Sequence, residues 1–377
     1  MEVTKDMLNW MDSRQEEHLQ LLLTLAQIPA PSNQEQLRSA FCKNWLEQHG
    51  AEGVYLDDTF NVIYPIGVTE TNPLVVFAAH SDVVFPDTES LPLKVEDGKI
   101  FCPGIGDDTA CVVALMMVAA YIAQHKLQPK NQGILLVINS GEEGLGNLKG
   151  TRKLFEDSGH RIRSFISFDD HDHHGVNRAV GSQRYQISID TEGGHSYGAF
   201  GNRNAIAYLA SMIDTLYAIQ VPPQGKTTYN VGTISGGTSV NTIAQHAQML
   251  YEFRSDCRQS LAIMEDHLNR VIQDYRDKGL RVTVTSVGNR PCSGDVDPEK
   301  LNRLMEQANA ASMRHHGVPI QFGSGSTDCN IPLSLGIPAI CVGCYDGAGA
   351  HTREEYVVQD SLLPGLKFTL DMVLSQF

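Results

Sequence analysis

The chain has 377 residues, 42% of them hydrophobic and 19% charged, an ordinary globular composition with enough length for two or three domains. Acidic side chains outnumber basic ones, 44 to 29, for a net charge of −15. Such a surface repels nucleic-acid phosphates and anionic lipid, so neither nucleic acid nor a membrane is an expected partner.

Residues 1–20, MEVTKDMLNWMDSRQEEHLQ, scatter Glu2, Lys5, Asp6, Asp12, Glu16 and Glu17 and lack the apolar core of a signal peptide. Helical patterns follow over about 7–26 and 33–49. A doubly apolar strand is expected at 74–79, a buried helix at 110–124, and further strands at 134–139, 166–168 and 339–342. The apolar run at 110–123 is too short to span a bilayer and reads as core. A helix at 298–315 opens on the start signal Asp297-Pro298-Glu299.

Between about 182 and 287 the texture changes. Strands at 186–190, 248–254 and 281–285 alternate with amphipathic helices at 205–219 and 261–278, and the order β-α-β-β-α-β is that of a ferredoxin-like α+β domain. The fold class is α/β, with 1–181 and 289–377 forming a mixed sheet covered by helices on both faces and 182–288 inserted as a second domain. The cysteines at 42, 102, 111, 257, 292, 329, 341 and 344 sit singly in apolar or glycine-rich contexts, as free thiols of a reduced, cytoplasmic compartment do. Cys341 and Cys344 form one C-x-x-C, a spacing open to redox or zinc chemistry, but with no second pair core packing is the reading taken.

Chemistry-bearing residues gather after the expected strands. His80-Ser81-Asp82 follows the first, Gly104-Ile105-Gly106-Asp107-Asp108-Thr109 precedes the buried helix, and Ser140-Gly141-Glu142-Glu143-Gly144 follows the second. Asp169 and Asp170 lead into His171, Asp172, His173 and His174, and the turn at 347–350 presents His351 and Thr352. The carboxyl ends of strands are where α/β sheets bind ligands. Adjacent carboxylates repel unless a cation or a shared proton lies between them. Imidazole and carboxylate donors in this number suit two divalent ions, zinc with cobalt or manganese as substitutes. Such a pair activates water at neutral pH, and a carboxylate that is not a ligand then takes the proton, so Glu142 and Glu143 would divide the base and ligand roles.

His80-Ser81-Asp82, Gly106-Asp107-Asp108, Gly141-Glu142-Glu143-Gly144, Phe168-Asp169, Ser326-Thr327-Asp328-Cys329-Asn330 and Ala350-His351-Thr352 together resemble the dinuclear zinc superfamily of peptidase T (tripeptide aminopeptidase), carboxypeptidase G2, aminoacylase and acetylornithine deacetylase. The resemblance spans nearly the whole chain and is nearest to the peptidase T-like branch. It implies that His80 and Asp169 bind one zinc ion, that Glu143 and His351 bind a second, and that Asp107 bridges them. It further implies that Asp82 orients His80, that Glu142 is the general base and acid, and that a cis peptide joins Asp107 to Asp108. The inserted domain resembles the superfamily's lid and dimerisation domain. By that resemblance His195, in Glu192-Gly193-Gly194-His195-Ser196, stabilises the oxyanion in a partner subunit, while Asn241 and Arg254 contact substrate, Arg254 through a carboxylate. Arg254 has Asp256 as an alternative, purely structural partner.

These implications describe a zinc-dependent hydrolase of small peptides, with Asp169 favouring an aminopeptidase. The alternatives are an N-acyl-amino-acid deacetylase or a carboxypeptidase of the same superfamily and, from another class, a non-catalytic binding module. A homodimer through the lid is implied as well. Three features depart from the pattern. Asp170 or His171 could compete with Asp169, His315-His316 reads as surface, and Cys329 would bring a thiol near the pocket.

Overall fold

Aliphatic runs without polar alternation make strands buried on both faces, and each such strand splits its side chains between two cores. Every residue of Leu74–His80 and Gly133–Asn139 is buried. Val75, Phe77 and Ala79 join one cluster with Ile134, Leu136 and Ile138, whereas Val76 and Ala78 join the other with Leu135 and Val137. The structure, a computed structural model, describes residues 1–171 and 173–377.

The chain divides into two units, Met1–Ala179 with Gly294–Phe377, and Val180–Ser293. In the first, an eight-stranded sheet runs in the order Tyr55–Leu56, Val62–Ile66, Gly133–Asn139, Leu74–His80, Ile162–Phe168, Ala339–Val342, His174–Ala179, Gln321–Gly325. The four strands from Gly133–Asn139 to Ala339–Val342 are parallel to one another. Val62–Ile66 and His174–Ala179 flank them antiparallel, so the sheet is mixed.

Helix Cys111–Gln124 is buried from Cys111 through Ile122. With the preceding turn it makes an apolar segment, Ile105–Gln124, long enough to cross a membrane, yet 94% of its most apolar window is buried within the protein. The first expected helix is two, Lys5–Ser13 and Gln15–Ala26, because Arg14 takes φ −108° and ψ 12°.

Helix Pro298–His315 starts where Asp297 accepts from the amides of Glu299 at 3.0 Å and Lys300 at 3.3 Å. Its far end corrects the surface reading of His315-His316. Arg314 Nε and His315 Nε2 lie 2.8 and 3.0 Å from Asp371 Oδ2. His316 packs on Phe368, with ring centroids 5.3 Å apart.

All eight cysteines are free. Cys341 and Cys344 belong to different core clusters, so the C-x-x-C is split across the sheet and is core packing. Cys329 is fully buried among apolar side chains, where burial pushes its thiol up, and so brings no accessible thiol to a pocket.

The second unit follows the ferredoxin-like order, with strands Gly181–Asp190, Thr227–Gly236, His246–Ser255 and Arg281–Arg290 and helices Ala205–Tyr217 and Arg258–Asp277. Its sheet, ordered 227–236, 246–255, 181–190, 281–290, is antiparallel throughout. Ala247, Met249, Tyr251 and Phe253 alternate into a core with Leu209, Met212 and Met264. Thr227–Gly236 was not among the expected strands. It is an edge strand in which Tyr229 and Val231 pack on the core between exposed neighbours, but a register shift between Val231 and Thr233 ends the alternation and the rest is exposed.

Asp371 generates a pH prediction. Burial opposes its charge, but His315 and Arg314 hold the carboxyl below its usual range. A depressed folded-state pKa stabilises fully above the unfolded value and is lost as pH falls. D371N is expected to cost roughly 1.5–3 kcal/mol at pH 7, as hydrogen bonds to charged groups do, and much less below about pH 3, where an unfolded Asp is protonated. Urea unfolding at both pH values checks this, and an equal cost at the two would refute it.

Candidate active site

Parallel register brings the strand ends level. His80 pairs with Asn139, Ala78 with Ser167 and Phe168 with Val342, so the loops beginning at Ser81, Ser140, Asp169 and Gly343 leave from one edge. Asp107 reaches them from the turn before helix Cys111–Gln124. Its Oδ1 lies 3.0 Å from His80 Nε2, and its Oδ2 lies 3.0 Å from His351 Nε2. His351 Nε2 is also 2.9 Å from Glu143 Oε1.

Two groups of three potential ligands result, His80–Asp107–Asp169 and Asp107–Glu143–His351, each with its donor atoms within 4.8 Å of one another. They share Asp107. A third grouping, His80–Glu142–Glu143, overlaps the first two. Among the described residues neither Asp170 nor His171 enters any group. Asp170 Oδ1 accepts the amide of His171 at 2.7 Å, and the His171 ring stands edge-on to Tyr345 at 5.2 Å. Asp172 lies outside the described residues.

The charges fit a cation. Burial, followed by Asp107 and Glu142, pushes Glu143 up to about 7 in spite of His351. Asp169 is raised well above its usual range by burial and then by Asp107. Hydrogen bonds to Asp107 and Glu143 lift His351 to about 10. His80 is raised too, since Asp107 and Asp82 outweigh the burial that opposes its charge. Crowded acids that draw protons onto both imidazoles would equally draw divalent ions, and a donor set of imidazole nitrogen and carboxylate oxygen suits zinc, cobalt or manganese.

Asp82 organises this cluster from beneath. His80 Nδ1 is 3.0 Å from the Asp82 carbonyl and 3.5 Å from its Oδ1, which leaves Nε2 for a ligand. The Asp82 carboxylate also accepts the amides of Glu142 at 2.9 Å and Glu143 at 3.0 Å and the hydroxyl of Ser32 at 2.6 Å. Gly141 has φ +66°, and a Cβ there would lie 2.5 Å from the Lys149 side chain, so only glycine makes this turn. His351 itself has φ +65°, a conformation costing a non-glycine residue about 1–3 kcal/mol.

Several supports were not singled out from sequence. Buried Arg38 donates to the carbonyls of Ile28 and Ser81 and to Thr109 Oγ1, tying the His80 strand end to the Asp107 turn. Asp108 Oδ2 accepts the amide of His80 at 2.8 Å, a role the sequence did not single out, whereas the cis peptide joining Asp107 to Asp108 is present as the resemblance implied. Asp328 accepts from Asn139 and Thr151, and burial followed by nearby Glu142 pushes it up to about 7. Arg38 and Ser32 lie outside any motif, whereas Asp328 stands in the quoted run at 326–330.

His195, Asn241 and Arg254 belong to the second unit. Gly194–His195 pairs with Thr242–Ile243, and Ser196 donates to the Asn241 carbonyl at 3.0 Å, so the first two are neighbours. His195 Nδ1 accepts the amides of Tyr197 at 3.2 Å and Gly198 at 3.3 Å. An amide can only donate, so the proton of the neutral ring sits on Nε2. Arg254 grips Glu252 through two bonds of 3.1 and 3.0 Å, where Asp256 was the partner considered. Register places Arg254, Ser182 and Arg290 in one row across three strands, with Glu252 and Arg184 in the next.

Residues 76–375 match the peptidase family M20/M25/M40. The chain belongs to this family. An acetylornithine deacetylase of Myxococcus xanthus is 26% identical over 346 residues, covering 86% of this chain and 84% of that protein. Among solved structures, a Staphylococcus aureus tripeptidase superposes with a TM-score of 0.76 at 22% identity, covering 95% of this chain and 97% of its own. The aminopeptidase PepT of Bacillus cereus does so with a TM-score of 0.72 at 20% identity, covering 95% and 98%. Both likenesses carry the fold alone, a sheet-centred domain with an inserted α+β domain. Family and relatives make the chain a peptidase or amidohydrolase, an enzyme that hydrolyses C–N bonds.

Within this family site, D82N would turn an amide nitrogen toward the main-chain donors of Glu142 or Glu143. Loss of such a partner to metal-binding side chains typically costs 10–100-fold in affinity or activity. Calorimetric titration with zinc is expected to find that loss, and wild-type affinity in D82N would remove Asp82 from the organising role.

Proposed function

We propose that the protein is a dinuclear zinc aminopeptidase that releases the first residue of small peptides. The observation that carries this reading is Asp107, with one carboxylate oxygen toward each of two imidazoles and a further carboxylate, Asp169 or Glu143, completing each group. When bound, two zinc ions would polarise the scissile carbonyl and lower the pKa of the attacking water. His80, Asp169 and Asp107 would hold one ion, and Glu143, His351 and Asp107 the other.

Glu142 is the general base. It is buried, it is absent from the two groups that share Asp107, and its amide is fixed by Asp82, so its position is set independently of its charge. It takes the proton of the attacking water and returns it to the departing amine. His195, with its proton on Nε2, would reach the site of a partner subunit and donate to the oxyanion developing there. Arg254 pairs with a substrate carboxylate, supported by the neighbouring Arg184 and Arg290.

Asp169 as a terminal ligand and the tripeptidase-like fold support action at a free amino terminus. The Myxococcus xanthus relative supports a second reading, removal of an acyl group from an N-acyl amino acid. The open edge strand Thr227–Gly236, with exposed Ile234 and Val240 close by, supports a homodimer through the second unit. Eight free thiols suit a reduced, cytoplasmic setting.

The test is hydrolysis of one tripeptide with and without an N-terminal acetyl group by the zinc-loaded protein. The expected result is release of the first residue from the free-amine peptide alone, with E142Q slower by roughly 10²–10⁴-fold and still folded. Cleavage only at the acetyl group would establish the second reading instead, and undiminished turnover by E142Q would remove Glu142 as base.

A further inference from the structure

Glu355 stands four positions after His351 and is 2% exposed. Its carboxylate faces the turn that carries Asp107. Oε2 accepts the amide of Gly104 at 2.6 Å, and Oε1 accepts those of Gly106 at 2.9 Å and Asp107 at 2.8 Å. Strand pairing does not do this work. The antiparallel ladder between Tyr356–Val358 and Lys99–Phe101 ends at Tyr356 with Phe101, and one more bond joins the Cys102 amide to the Glu355 carbonyl at 3.2 Å. Beyond that point the turn leaves the ladder, and the Glu355 carboxylate receives these three donors.

A Cβ at Gly106 would lie 2.7 Å from the Tyr345 ring, so the backbone is wedged between that ring and the carboxylate. Without those acceptors three donors of a buried turn would be left unsatisfied, which favours a shift of the turn toward other partners. Asp107 would move with it, while His351 lies on the segment that carries Glu355.

We propose that Glu355 is a positioning residue that sets Asp107 against His351, so that one carboxylate fixes the distance between the shared ligand and the second imidazole. The inference rests on the two-ion reading above. It also ranks the ions. In the group Asp107–Glu143–His351 two ligands depend on the contact through Glu355, whereas in His80–Asp107–Asp169 only Asp107 does.

The experiment is titration of the full-length, metal-free protein with zinc by calorimetry, alongside the visible spectrum of the cobalt-loaded form. The variants are E355Q, E355D and D371N, the last as a control that destabilises the same unit away from the site. The wild type is expected to take two ions. E355Q, with one acceptor oxygen and an amide nitrogen facing donors, is expected to bind one of them 10–100-fold more weakly with an altered cobalt spectrum. E355D should recover part of the loss, and D371N should bind both ions normally.

Two ions bound by E355Q with wild-type affinities would overturn the proposal, as would an equal loss in D371N at a matched fall in melting temperature. Should E355Q not fold, E355D decides in the same way, because wild-type affinities there would equally overturn it. A wild type that takes fewer than two ions would overturn the two-ion reading and the ranking with it, a result distinct from the others.

Discussion

Asp107 stands between two imidazoles, and most of the first unit's unusual features are explained by keeping it there. A carboxylate with one oxygen toward His80 and the other toward His351 has no freedom to rotate without losing one of them. Each ring is in turn constrained, His80 by Asp82 and His351 by its left-handed backbone. The arrangement concentrates buried carboxylates that burial alone would protonate, and positive charge on imidazoles or metal ions is what makes it tolerable.

That constraint accounts for the polar groups around the cluster. Arg38 is buried although arginine almost never is, and its bonds span the strand end at Ser81 and the turn at Thr109, the two pieces that deliver His80 and Asp107. Asp82 spends its acceptor capacity on the amides of Glu142 and Glu143 and on Ser32. A base and a ligand adjacent in sequence, the roles proposed for Glu142 and Glu143, would need different exits from one turn. Fixing both amides on a single carboxylate separates the two side chains without help from their own charges.

The parallel core of the sheet was legible where its strands are aliphatic, as at 74–79 and 134–139, and the motifs at 80–82, 140–144 and 169–170 were legible because each begins where a strand stops. Ala339–Val342 and Pro298–His315 have the same limits in sequence and structure, the helix because Asp297 and Pro298 leave no ambiguity at its start. Less was visible wherever a residue's role is set by a distant partner. His315 lies at the end of an amphipathic helix and reads as surface until Asp371 arrives from another helix. Cys341 lies within the strand Ala339–Val342 and Cys344 beyond its end, so the two pack into different cores, which spacing in sequence does not reveal. In Thr227–Gly236 the alternation lasts only to Val231, where the register shifts, too short a pattern to read.

The second unit prepares its candidate site residues by local means. Two amides on Nδ1 favour the tautomer of His195 with its proton on Nε2 before any ligand is present. Arg254 is held differently, in a fork on Glu252. On the proposed reading, a substrate carboxylate would therefore reach Arg254 in competition with a resident one. Arg184 Nε lies 3.4 Å from the same Glu252, so Glu252 keeps a cationic partner when Arg254 turns away. The exchange then costs the difference between two ion pairs and not the loss of one, and it favours ligands whose carboxylate matches the two-bond geometry over any that carries negative charge alone.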